Sequence, residues 1–105
     1  MIDERRREIL RGVLAGHGHC IDKVSVFGSH AMGTARDNSD IDLVIYGSLS
    51  AEALDRLWTL FDDSSLPVKV DVVAYGDHLY PPLKRHIDAA ARALFDRCDL
   101  AARQS

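Results

Sequence analysis

Three strand-like runs, each stopped by a glycine and separated by helix-like stretches, restrict this chain to a fold built on a small sheet. Residues 23–27, KVSVF, alternate polar and apolar side chains and lead into Gly28 and Ser29. The second run, DIDLVIYG, closes at Gly47, and the third, VKVDVVAYG, is rich in β-branched residues and closes at Gly76. Ahead of them, Ile9, Leu10, Val13 and Leu14 recur at helical spacing from Ile2 to about Leu14, with Asp3 to cap the start and Gly16 and Gly18 to end it. Ser48 to Asp62 reads as a second helix, capped by Ser48 or Ser50, with Leu54, Leu57, Trp58 and Phe61 on one apolar face. Asp77 to about Ala93 reads as a third, with Pro81 and Pro82 tolerable only in its first turn, and the following ALFD adds a short strand. The expected class is α/β (α+β), a small mixed β-sheet with helices packed against it.

The 105 residues, 47% of them hydrophobic, fit one domain spanning 1–105. A formal net charge of -3 gives no global basic footprint, so no stable nucleic-acid binding is expected. The basic start MIDERRREIL lacks a following apolar core of a leader, and no stretch is apolar enough to cross a bilayer, so a cytoplasmic location is expected. Arg5 to Arg7 stand beside Glu4 and Glu8 and read as a solvated helix face laced with ion pairs. Cys20 and Cys98 have no ligand spacing and read as reduced, half-buried thiols. His17, His19 and Cys20 lack a fourth ligand and read as a solvent-facing loop.

The chemistry lies in the strand acids. Side chains on a strand alternate, so Asp40 and Asp42 point to one side while Ile41, Leu43 and Ile45 point to the other. Two carboxylates this close repel and need a compensating cation or water, a need that a divalent ion meets. Hard oxygen ligands favour magnesium or manganese over zinc. In the third run Val68, Val70, Val72 and Ala74 share one face, which leaves Asp71 on the other. If the two strands are neighbours, three carboxylates converge and can bind two metals about 3.5 to 4 Å apart, an arrangement that clamps both oxygens of a phosphoryl transfer. Upstream, the Gly28-Ser29 turn offers backbone amides to phosphate oxygens. Gly33 and Thr34 serve equally well as turn residues, and Arg36 is either a surface charge or a phosphate-neutralising group.

Taken together, GSHAMGTARDNSDIDLVIYG resembles the nucleotidyltransferase signature of Gly-Ser, about ten residues, then Asp-x-Asp, with a later strand aspartate. The resemblance is to the minimal nucleotidyltransferases, which share the core of polymerase-beta-like enzymes, and it covers residues from about 20 to 76. It implies that Gly28 and Ser29 touch the triphosphate, that Asp40 and Asp42 bind both Mg2+ ions, and that Asp71 completes one metal site and helps deprotonate the acceptor hydroxyl. Attack on the α-phosphorus of ATP would expel pyrophosphate without a covalent enzyme intermediate, by positioning and charge neutralisation. The chain departs from many members in carrying His30, Ala31 and Met32, rather than Arg or Lys, between Gly-Ser and the next Gly. Arg36 or a protonated His30 can compensate.

The family also implies a partner, since larger relatives add a helical domain and minimal members are paired with a HEPN-type helical toxin. In that pairing the nucleotidyltransferase is the antitoxin and adds AMP to a tyrosine of the toxin. Three alternatives stand beside this: transfer to a small hydroxylated molecule such as an aminoglycoside, a non-catalytic nucleotide- and partner-binding antitoxin, and a structural α/β domain with coincidental acids. Tyr46, Trp58 and Tyr75 suit either a stacking or partner surface or the core, and are left outside the site.

Overall fold

A computed structural model describes residues 3–33, 36 and 38–101. The elements run α1 (Glu4–Ala15), a 3-10 turn (Gly18–Cys20), β1 (Ile21–Phe27), α2 (Ser29–Met32), β2 (Ile41–Gly47), α3 (Ala51–Asp62), β3 (Val70–Ala74), α4 (Pro81–Ala90), β4 (Arg92–Asp96) and α5 (Arg97–Ala101). The four strands form one sheet in the order β3-β2-β1-β4. β1 lies antiparallel to β2 and β4, and β2 lies parallel to β3, so the sheet is mixed as expected.

Local chemistry explains most boundaries. Asp3 caps α1 by accepting the Arg6 amide at 2.8 Å, and Ser50 caps α3 by accepting the Ala53 amide at 3.1 Å. Ser48 is thus too early: it lies in the connection, where its amide donates to the Cys20 carbonyl at 2.9 Å. The third long helix is shorter than the sequence suggests. It begins at Pro81 rather than Asp77, because Pro81 and Pro82 fill the first-turn positions whose amides need no intrahelical acceptor. It ends at Ala90, and Ala91 turns extended so that β4 can join the sheet. The segment from His17 to Cys20 is no solvent-facing loop; its 3-10 turn buries Gly18 and half-buries His17 and Cys20. Cys20 and Cys98 are free thiols; Cys20 is half-buried as expected, whereas Cys98, in the short α5, is exposed.

Strand alternation divides the core in two. Val24, Val26, Ile41, Leu43, Ile45, Val70 and Val72 face Leu10 and Leu14 of α1, Leu57 and Phe61 of α3, and Leu100 of α5. On the opposite face Phe27 and Val44 pack with Ile87 of α4, and Tyr46, Val73, Tyr75 and Leu83 border them. Tyr46 and Tyr75 stack with ring centroids 4.8 Å apart, while Trp58 packs half-buried against the larger core. No helix among the described residues is long and apolar enough to cross a membrane.

Candidate active site

The carboxylates come together because of register. Asp42 on β2 stands directly beside Asp71 on parallel β3, and the antiparallel partner of Asp42 on its other side is Phe27, the last residue of β1. Residues directly opposite in a ladder project to the same face, so Asp42 and Asp71 share the side on which α4 packs. Gly28 follows Phe27 at once, with φ +71, a conformation that an L side chain adopts only under strain. A Cβ at Gly28 would stand 2.5 Å from Oδ2 of Asp42. Glycine is therefore required twice here, by the turn and by the carboxyl that presses on it.

The chain then enters α2, where the Ala31 and Met32 amides both turn back to the Gly28 carbonyl at 3.1 Å. Ser29 opens this short helix, but its side chain and that of His30 lie outside the described residues, as does Thr34. Met32 is 62% exposed. Arg36 is exposed, and its backbone amide donates to Ser39 Oγ at 2.8 Å, which fixes the turn leading to Asp40. Gly33 has φ +76 with open space where its side chain would be, the turn role expected of it.

Burial first, then the charges of Asp71 and Asp40 and a hydrogen bond with Asp71, push the Asp42 carboxyl above its ordinary range, and His86 pulls the other way. The neighbouring carboxylates thus add to the penalty that burial sets on the Asp42 charge. One cation already answers in part: Lys69 Nζ lies 3.7 Å from Asp71 Oδ1 and 6.0 Å from the Trp58 ring. Among the described residues no three His, Cys, Asp or Glu side chains are gathered into a ready-made metal cage. Asp42 and Asp71 form the close pair, and Asp40 stands exposed immediately before β2, acting on Asp42 through its charge. Two carboxylates with an unmet need for a cation fit magnesium, which is usually held by one or two carboxylates together with substrate phosphates.

His86, on α4, was not among the residues the sequence pointed to. Its Nε2 accepts the Gly28 amide at 3.3 Å, and its ring meets Phe27 edge-on, 6.2 Å between centroids at 74°. Lys69 was missed as well. Its place two residues before Asp71, just ahead of β3, is a usable signal, whereas nothing in the spacing ties position 86 to position 28.

A glycine turn thus lies beside paired strand carboxylates, and comparison with known proteins gives the family. Residues 10–99 match the family described as Polymerase beta, Nucleotidyltransferase. A protein of Methanocaldococcus jannaschii named "Putative protein adenylyltransferase MJ0435" is 31% identical over 87 residues, covering 82% of this chain and 89% of that one. A solved structure described as a "putative minimal nucleotidyltransferase" is 32% identical with a TM-score of 0.53, covering 84% of this chain and 88% of the other. A toxin-antitoxin crystal structure with AMP-PNP shares the fold, with a TM-score of 0.69 at 21% identity over 92% of this chain and 82% of that one. The chain belongs to the polymerase-beta nucleotidyltransferase family.

Proposed function

We propose that this protein transfers AMP from ATP to a tyrosine hydroxyl of a HEPN-type toxin and so acts as its antitoxin. The observation that carries the reading is the Asp42–Asp71 pair set in register beside the Gly28 turn. The adenylyltransferase name of the archaeal relative supports AMP as the group moved, and the fold neighbour, a toxin-antitoxin complex with AMP-PNP, supports both the partner and the nucleotide.

Asp40, Asp42 and Asp71 would hold magnesium, and Gly28, Ser29 and Arg36 would border the triphosphate. Magnesium bound there would neutralise the charge of the triphosphate and of the departing pyrophosphate. The acceptor oxygen forms a bond to the α-phosphorus as the bond from that phosphorus to the bridging oxygen of pyrophosphate breaks. Asp71, half-exposed at the edge strand, takes up the hydroxyl proton. Burial and the neighbouring carboxylates make the Asp42 charge costly alone, and a cation shared with Asp71 would offset that cost.

The test is incubation with labelled ATP, magnesium and a candidate HEPN partner, followed by intact mass of both proteins. The expected result is an AMP-sized increment on the partner, reduced at least about a hundredfold in rate by Asp42→Asn. A partner that is neutralised without any increment, by wild type and by Asp42→Asn alike, would make this a binding antitoxin instead.

A further inference from the structure

We propose that His86 is a positioning residue for the nucleotide site, holding the Gly28 turn against Asp42; the assignment rests on the transferase reading above. His86 reaches the turn from outside the motif. α4 crosses the face that bears the carboxylates, and Ile87, 1% exposed between Phe27 and Val44, fixes the rotation of the helix. That rotation brings His86 Nε2 within 3.3 Å of the Gly28 amide. A ring nitrogen that accepts an amide hydrogen carries no proton, so in the neutral ring the proton sits on Nδ1.

Gly28 is then held from two directions. His86 takes its amide on one side, and on the other the Asp42 carboxyl occupies the space a side chain would need. The edge-on contact with Phe27 keeps the imidazole from swinging away. With its N–H committed to His86, Gly28 serves the triphosphate by the room it leaves rather than by its amide. Loss of the acceptor frees the Gly28 peptide to rotate and removes a constraint on the Asp42 carboxyl. Nucleotide binding must then order both, a cost that appears in affinity for ATP and magnesium before it appears in the stability of the fold.

A side chain that merely fills space beside Phe27 would be replaced equally well by leucine or glutamine. An acceptor would not: glutamine can place Oε1 close to where Nε2 sits, and leucine offers only bulk. The experiment compares wild type, His86→Leu and His86→Gln by exchange of the Gly28 amide in 15N NMR and by KM for ATP with magnesium in the transfer assay, with thermal melting as the check on folding. Expected for His86→Leu are about fivefold faster Gly28 exchange and about a fivefold higher KM, the scale of one neutral hydrogen bond, with kcat less affected and both values restored in His86→Gln. Equal behaviour of the two variants in exchange and KM overturns the proposal, as does a Gly28 amide that exchanges freely in the wild type. If the wild type shows the exchange contrast but no AMP transfer to any acceptor, the transferase reading fails while the His86–Gly28 bond stands, so the two failures are separable.

Discussion

Ile41, Leu43, Ile45, Val70 and Val72 lie beneath α1, α3 and α5 on one face of the sheet, each 3% exposed or less, whereas the other face has α4 over Phe27 and Val44 and leaves Asp42 and Asp71 half-exposed beside them. The same two strands supply both sets of residues. Alternation thus lets five-to-seven-residue strands anchor the core with one set of side chains and hold charge with the next. The consequence is a division of labour at single-residue resolution, since stability and chemistry sit on neighbouring positions that never touch the same environment.

Adjacent substitutions break that division most sharply. Leu43→Ala, on the deep face, is expected to cost about 3 kcal/mol in chemical denaturation, because a fully buried side chain leaves both lost transfer energy and a cavity. Activity measured on the remaining folded fraction should stay near that of the wild type. Gly28→Ala, at the boundary, should cost about 1 to 2 kcal/mol from its left-handed backbone alone. It should lower AMP transfer by more than that loss accounts for, since the added methyl displaces the Asp42 carboxyl.

Asp42→Asn carries the comparison to its gentlest form, a change in how stability depends on pH. The folded state binds a proton at Asp42 more tightly than the unfolded state does, because the carboxyl is raised by burial and by its acidic neighbours. Stability is therefore lost as pH rises from the ordinary carboxyl value, about 4, through the raised one. Below that window both states are protonated and the penalty vanishes. The melting temperature of Asp42→Asn should accordingly match wild type at the acid end and exceed it near neutrality. Magnesium added at neutral pH should raise the wild-type value and leave the variant nearly unchanged. Leu43→Ala should show no such dependence.

Much of the sheet could be read from the residues. The strands that carry Asp42 and Asp71, the Asp3 and Ser50 caps, and the short strand containing Ala93 to Asp96 follow from local pattern, whereas the pairing of β2 with β3 is a tertiary property that no local pattern displays. Strand alternation is a rule of period two and survives without tertiary information. The start of α4 was misjudged because the polar residues after Gly76 suit a helix by composition, while the two prolines impose the actual first turn. His86 was invisible for a deeper reason: the rotation of a helix over a sheet depends on how Ile87 and Leu83 seat, and one sequence does not display that fit. Asp40 precedes β2 rather than lying within it, so strand alternation alone does not fix where its side chain points.

The pairing of Phe27 with Asp42 also makes the segment between them a closed loop whose two ends are pinned by the sheet. The entropy of closing such a loop grows only logarithmically, about 0.6 kcal/mol for each doubling of its length. Residues can thus be added to or removed from the middle of the excursion at little thermodynamic cost while the turn glycine and the strand carboxylate keep their spacing across the ladder. Both anchors belong to the sheet, so a change in the length of the excursion leaves Phe27 and Asp42 where they are.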